Sequence, residues 1–222
     1  MSLVSTFLPI FWKLTQSTVS AHGFSPMNSL LGLRTTRVST IDDLRSGSAS
    51  IGMQIAGIVG FAALTALGAQ FRLYLWEVPF TLQTLAVYGS GLYLGWRNGL
   101  LAQGLYLLVG LFLPVFAGEG FGPAYLFGAI SAGYLLAYPL SAALVGFVSK
   151  RWNGLTGTVI SMICGSLVLF TLGVTWLHYV ADHATWFESI DKGWLRFAPV
   201  DLAKILLVAL VYQGTRSLSS RD

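Results

Sequence analysis

Six stretches of this 222-residue chain are apolar almost throughout: about 49–70, 80–96, 98–116, 124–148, 155–178 and 195–214. Crossing a bilayer takes roughly 20 mostly apolar residues in an α-helix. Hydrocarbon offers no hydrogen-bond partner, so each crossing segment must satisfy its own backbone, which only helices and closed barrels do. The segments lack the alternation that marks a barrel strand. Charged residues make up only 10% of the chain, against about 25% in a soluble domain. The sequence therefore predicts an all-α integral membrane protein, a bundle of six transmembrane helices. The second and third segments are short and joined by a tight turn at Arg97-Asn98. The fourth carries Pro139, where a tilt or kink is expected.

The net charge is +4, and its placement speaks for orientation rather than nucleic acid. With both termini cytoplasmic, that side holds Lys13, Arg34, Arg37, Arg45, Arg97, Lys150, Arg151, Arg216 and Arg221. The outside holds Arg72, Lys192 and Arg196. This is the positive-inside distribution. Trp76, Trp96, Trp152, Trp176, Trp186 and Trp194 fall near helix ends, where indoles meet headgroups. Three regions follow: a largely disordered cytoplasmic tail (1–48), the six-helix domain (49–216) and a short cytoplasmic C-terminal tail (217–222). Residues 2–12 are apolar but too short to span, and suit the membrane surface; translation from Met27 is the alternative. Cys164 stands alone, so it forms no intrachain disulfide and no metal site by itself. It reads as a small buried hydrophobe.

The second segment opens Glu77-Val78-Pro79-Phe80-Thr81-Leu82-Gln83-Thr84, an unusually polar start. One reading makes Thr81 a helix cap with Gln83 beside it; the other makes both ligand contacts. Residues 113–128, LPVFAGEGFGPAYLFG, combine glycines, prolines and aromatics. Glycines let backbone approach a ligand and aromatics supply flat apolar walls, so a binding loop is expected. In residues 197–207, Asp201 and Lys204 are three apart and share a helix face. They either complement the helix dipole as an ion pair or serve a site, as ionisable residues in membrane helices commonly do. The topology gathers all three features at the outer end. They outline a pocket for a small molecule with a polar head and an apolar body. On the first segment, Ala56-x-x-x-Gly60 and Ala62-x-x-x-Ala66 permit close helix approach, within the bundle or against a partner.

The stretch from residue 63 to 118 resembles the BioY family, the biotin-binding substrate (S) components of energy-coupling-factor (ECF) transporters. The residues that carry the resemblance are Val78 to Thr84, Leu113 to Gly118, Gly133-Tyr134-Leu135-Leu136 and Pro199-Val200-Asp201-Leu202-Ala203-Lys204. It extends over roughly residues 50–214. Glu119 and Ile130-Ser131-Ala132 depart from the family pattern. The resemblance implies a multi-pass protein of a prokaryotic plasma membrane that binds biotin near the outer surface. It implies no cofactor of its own, and a transmembrane coupling subunit and an ATPase pair as partners. The site it implies comprises Thr81, Gln83, Phe116, Gly118, Tyr125, Tyr134, Asp201 and Lys204, with Ala62 and Ala66 facing the coupling subunit. An S component for a different vitamin is the alternative. An intramembrane enzyme is disfavoured: Gly89-Ser90-Gly91 has no histidine within a membrane segment to serve it. No ring of charges marks a channel.

Overall fold

The computed structural model describes residues 40–73, 77–118, 120–152 and 154–219. The expectations for residues 1–39, for a start at Met27 and for Glu119 lie outside them. The elements are α1 (Thr40–Ser46), α2 (Ile51–Gln70), β1 (Arg72–Leu73), β2 (Phe80–Thr81), α3 (Gln83–Gly110), α4 (Gly122–Gly128), α5 (Ala132–Ser149), α6 (Leu155–Val180), α7 (Trp186–Ile190), a π-helical turn (Asp191–Leu195) and α8 (Ala198–Ser219). By length and composition, α2, α5 and α6 could each cross a membrane.

The centre of the bundle is α3. It packs against α2 on one side and α5 on the other; α6 packs on α5, and α8 on α3 and α6. The expected second and third segments are the two arms of this one element, broken at Gly95 rather than at Arg97-Asn98. Gly95 has φ +75° and ψ 180°. Residues with a Cβ pay for that conformation, so the break falls on the glycine. A Cβ there would also stand 2.7 Å from the Arg45 carbonyl oxygen. Close approach recurs where α3 meets α5: a Cβ on Gly91 would lie 2.4 Å from the Ala142 carbonyl oxygen.

Polar side chains knit the helices where they cross. Gln103 in the second arm of α3 donates to Ser90 Oγ in the first arm (3.1 Å), and Thr65 of α2 donates to Gln103 Oε1 (3.2 Å). All three are fully buried. An unpaired buried polar group costs about 1–3 kcal/mol, and among the described residues no buried side-chain nitrogen or oxygen lacks a partner. The outer faces are apolar: Ile55, Val59 and Leu67 on α2 and Leu206, Leu207 and Leu210 on α8 are all exposed. A soluble chain rarely presents so much apolar surface; hydrocarbon solvates it.

Several expectations are corrected. The chain is mostly helical, but β1 and β2 form a small antiparallel hairpin pairing Arg72 with Thr81 and Leu73 with Phe80. Part of the expected tail is ordered: α1 packs on α3, and Arg45 donates to the Leu92 carbonyl, to Tyr212 Oη (2.7 Å) and to Ser149 Oγ (3.1 Å). The Leu92 carbonyl lies in the turn that Gly95 breaks, where a guanidinium replaces the lost helical donor. The fourth segment is interrupted at residues 129–131, between α4 and α5, while α5 runs through Pro139. The sixth starts at Ala198 and continues to Ser219. Cys164 is half-buried.

Candidate ligand site

A cavity opens at the end of the bundle formed by the hairpin, the start of α3, the start of α5 and the start of α8. Its walls include Val78, Pro79, Phe80, Leu135, Leu169, Phe170 and Phe197. Phe80 stacks on Phe197 with centroids 4.3 Å apart. Into this apolar chamber project Thr81, Gln83, Thr84, Tyr125, Ser131, Tyr134, Tyr138, Asp201 and Lys204.

Asp201 enters from the first turn of α8 and is 5% exposed. Tyr88 Oη donates to its carboxylate at 3.0 and 3.1 Å, and Ser166 Oγ donates at 2.6 Å. These charge-assisted bonds fix the carboxylate in place. Lys204, one turn later, does not pair with Asp201. Its ammonium donates to the Thr81 carbonyl (2.6 Å) and to Thr84 Oγ1 (3.2 Å), which ties α8 to the hairpin.

Thr81 is not the helix cap. It sits in β2, and the residue at the cap position is Leu82, with no side-chain cap bond. The Thr81 hydroxyl instead donates to Gln83 Oε1 (2.9 Å), and Gln83 Nε2 donates to Tyr106 Oη (2.7 Å). Gln83 is thereby held rigid, 2% exposed.

The 113–118 loop folds back on the end of α3. Phe116 is fully buried against Tyr106 and Tyr125 rather than facing the cavity. Gly118 does not line it either; its carbonyl accepts from Arg72 Nη1 (3.3 Å), joining hairpin to loop. From this region Ala117 and Tyr125 reach the cavity, and the Tyr125 hydroxyl donates to the Ala117 carbonyl at 2.5 Å. Tyr134 lines the cavity while its hydroxyl donates to the Gly193 carbonyl (2.8 Å).

Ala62 and Ala66 turn inward. Ala62 is 7% exposed and lies in the core, with Ala66 packed against it. Ala56 and Gly60 are among the small residues of α2 that remain open; nothing lies within 4 Å of a Cβ built on Gly60. The helical period puts the two small-residue pairs on different faces. Sequence reasoning missed Tyr88, Ser166 and Tyr138. The available signal was hydroxyls within apolar helices, one turn or more from any recognised motif.

The chain is similar to known proteins in sequence and in fold. The BioY family model matches residues 39–221. The "Biotin transporter BioY" of Thermotoga maritima is 34% identical over 70% of this chain and 90% of its own. The "Probable biotin transporter BioY" of Lysinibacillus sphaericus is 31% identical over 74% and 89%. A crystal structure of the S-component for biotin from an ECF-type ABC transporter shares the fold, with a TM-score of 0.67 at 22% identity over 76% of this chain and 95% of that one. The family match spans every described element that builds the cavity, and on that ground the chain belongs to the BioY family.

Proposed function

We propose that this chain is the membrane-embedded substrate-binding component of an ECF-type uptake system, and that its cavity takes biotin. The observation that carries the reading is the Asp201 carboxylate, buried and held by Tyr88 and Ser166, with Lys204 on the same wall of an otherwise apolar chamber. Biotin has a ureido head with two N–H donors, an apolar bicycle and a carboxylate tail. Asp201 accepts from the ureido N–H groups, Phe80, Phe170 and Phe197 flank the bicycle, and Lys204 meets the tail carboxylate. The chain itself catalyses no reaction; ATP hydrolysis belongs to partner subunits.

The membrane arrangement in this reading has six crossings, with the two arms of α3 as the second and third. Both termini are cytoplasmic and the cavity faces outward. The exposed Ala56–Gly60 face of α2 supports a contact with the coupling subunit, because small residues admit a partner helix closely. Calorimetric titration of the detergent-purified chain with biotin, desthiobiotin and riboflavin tests the assignment. One-to-one biotin binding without riboflavin binding is expected. A monodisperse sample that leaves biotin unbound ends it.

A further inference from the structure

Most cations of the described residues have a polar partner. Arg45, Arg72 and Lys204 donate to carbonyls, while Lys192, Arg196 and Arg216 form ion pairs. Arg97, Lys150 and Arg151 form no ion pair among the described residues. All three lie at the end of the bundle opposite the ligand cavity. Lys150 and Arg151 follow the last residue of α5, whose other end contributes Ser131 to the cavity. Arg97 follows the elbow of α3, with its guanidinium 5.0 Å from the Trp96 ring centroid. The elbow and the last turn of α5 are in contact, since a Cβ on Gly146 would stand 2.4 Å from the Trp96 nitrogen.

At this corner Phe147, Val148, Lys150, Arg151 and Trp152 line an open recess with no acidic residue in its wall. Its other lining residues are apolar: Phe147, near the end of α5, is 67% exposed, and Trp152, next to the two cations in sequence, is 50% exposed. The C-terminal carbonyls of α5 favour cations there, which holds the positive charge in place without neutralising it. A free anion would use the charge and leave the apolar floor uncovered. A phospholipid uses both, with a phosphate on Lys150 and Arg151 and an acyl chain along Phe147 and Val148.

We propose that this corner is a binding site for an anionic phospholipid in the leaflet opposite the ligand cavity. The test is native mass spectrometry of the full chain, titrated with phosphatidylglycerol and with phosphatidylcholine of the same acyl chains. Phosphatidylglycerol adducts are expected to exceed phosphatidylcholine adducts by about 25-fold, since each of the two basic residues near a membrane surface contributes roughly fivefold. The Lys150→Gln/Arg151→Gln double variant is expected to bring the two lipids to parity, while Lys192→Gln at the other end leaves the preference intact. Equal binding of both lipids by the unaltered chain overturns the proposal, as does an unchanged preference in the double variant. Displacement of the lipid by millimolar inorganic phosphate would make this a free-anion site and overturn it too. So would a double variant that keeps its lipid preference and loses uptake only with coupling subunits present, which marks a protein interface. Biotin titration of the same samples reports on the ligand cavity separately.

Discussion

The Tyr88 hydroxyl stands 3.0 and 3.1 Å from the two carboxylate oxygens of Asp201, across 113 residues of sequence, and Ser166 completes the grip at 2.6 Å. Two donors hold the buried carboxyl group in one orientation and leave lone pairs open to a ligand. Asp201→Asn should weaken biotin binding by at least about 1.5 kcal/mol, roughly tenfold, because a charge-assisted acceptor becomes neutral. Tyr88→Phe should cost about 1 kcal/mol through a less firmly held carboxylate. Calorimetry reads both; an Asp201→Asn protein with unaltered affinity would remove the carboxylate from the site.

Lys204 is the cation that lines the cavity among the described residues, and its present partners are a backbone carbonyl and a hydroxyl. If it meets the ligand's carboxylate, Lys204→Gln should reduce biotin affinity by about tenfold and leave the affinity for neutral biotin amide nearly unchanged. Equal losses for both ligands would give Lys204 a purely structural role in fastening α8 to the hairpin.

How far these features were legible in the sequence follows from the range of the forces involved. Apolar length located α2, α5, α6 and α8, because hydrocarbon demands it. The polar start of α3 and the Asp201–Lys204 spacing marked one end of the bundle, and the structure brings them to one cavity. Pairings across the chain were not legible. Tyr88 and Ser166 look like ordinary hydroxyls in apolar helices until α8 is placed beside them. Thr81 reads as a cap by local rules, but its pairing with Arg72 in the hairpin removes it from the helix. Phe116 lies in a loop with binding-site composition, yet the fold-back onto Gly110 turns it into core; a Cβ at Gly110 would overlap its ring.

The two small-residue pairs of α2 separate by face, and substitution tells them apart. Ala62→Leu inserts a large side chain into the packed core and should destabilise the protein by about 1–3 kcal/mol. Gly60→Leu meets open space and should leave thermal stability and biotin binding unchanged, while uptake with the coupling and ATPase subunits falls. A thermal melt, a biotin titration and a transport assay on both variants decide this. Uptake preserved in Gly60→Leu would move the docking face elsewhere.

Gly95 sets the elbow of α3. Gly95→Ala forces a Cβ into φ +75° and against the Arg45 carbonyl. Strain of this kind costs about 1–3 kcal/mol. The loss should appear as a lower Tm in a detergent melt. Arg45→Met should lower it as well, by leaving the Leu92 carbonyl and the Tyr212 and Ser149 hydroxyls without their shared donor. A Gly95→Ala protein as stable as the parent would mean that the elbow can re-form elsewhere.

The hairpin side of the cavity is fastened to the segment after α6 by one carboxylate. Glu77 Oε1 accepts from Lys192 at 2.8 Å, and Oε2 lies 2.8 Å from His183 Nε2, while Glu188 takes a second contact with Lys192 at 2.8 Å. Partial burial pushes the Glu77 carboxyl up, but the hydrogen bonds from Lys192 and His183 outweigh it and hold it below its ordinary value of 4.5. Its bonds to Glu188 and Glu77 raise Lys192 above 10.5. A lowered carboxylate contributes stability that is complete above its unfolded value and is lost as pH falls through the lowered folded one. A raised ammonium contributes below its unfolded value and loses that contribution as pH rises through the raised one. Hydrogen-exchange protection of residues 77–81, corrected for intrinsic rates, should therefore stay level with respect to these two groups from about pH 5 to pH 9 and fall in acid below about 4.5. Glu77→Gln should show the acid level of protection already at neutral pH. Unchanged protection in that variant would show that the Lys204–Thr81 bond holds the hairpin without help from the carboxylate.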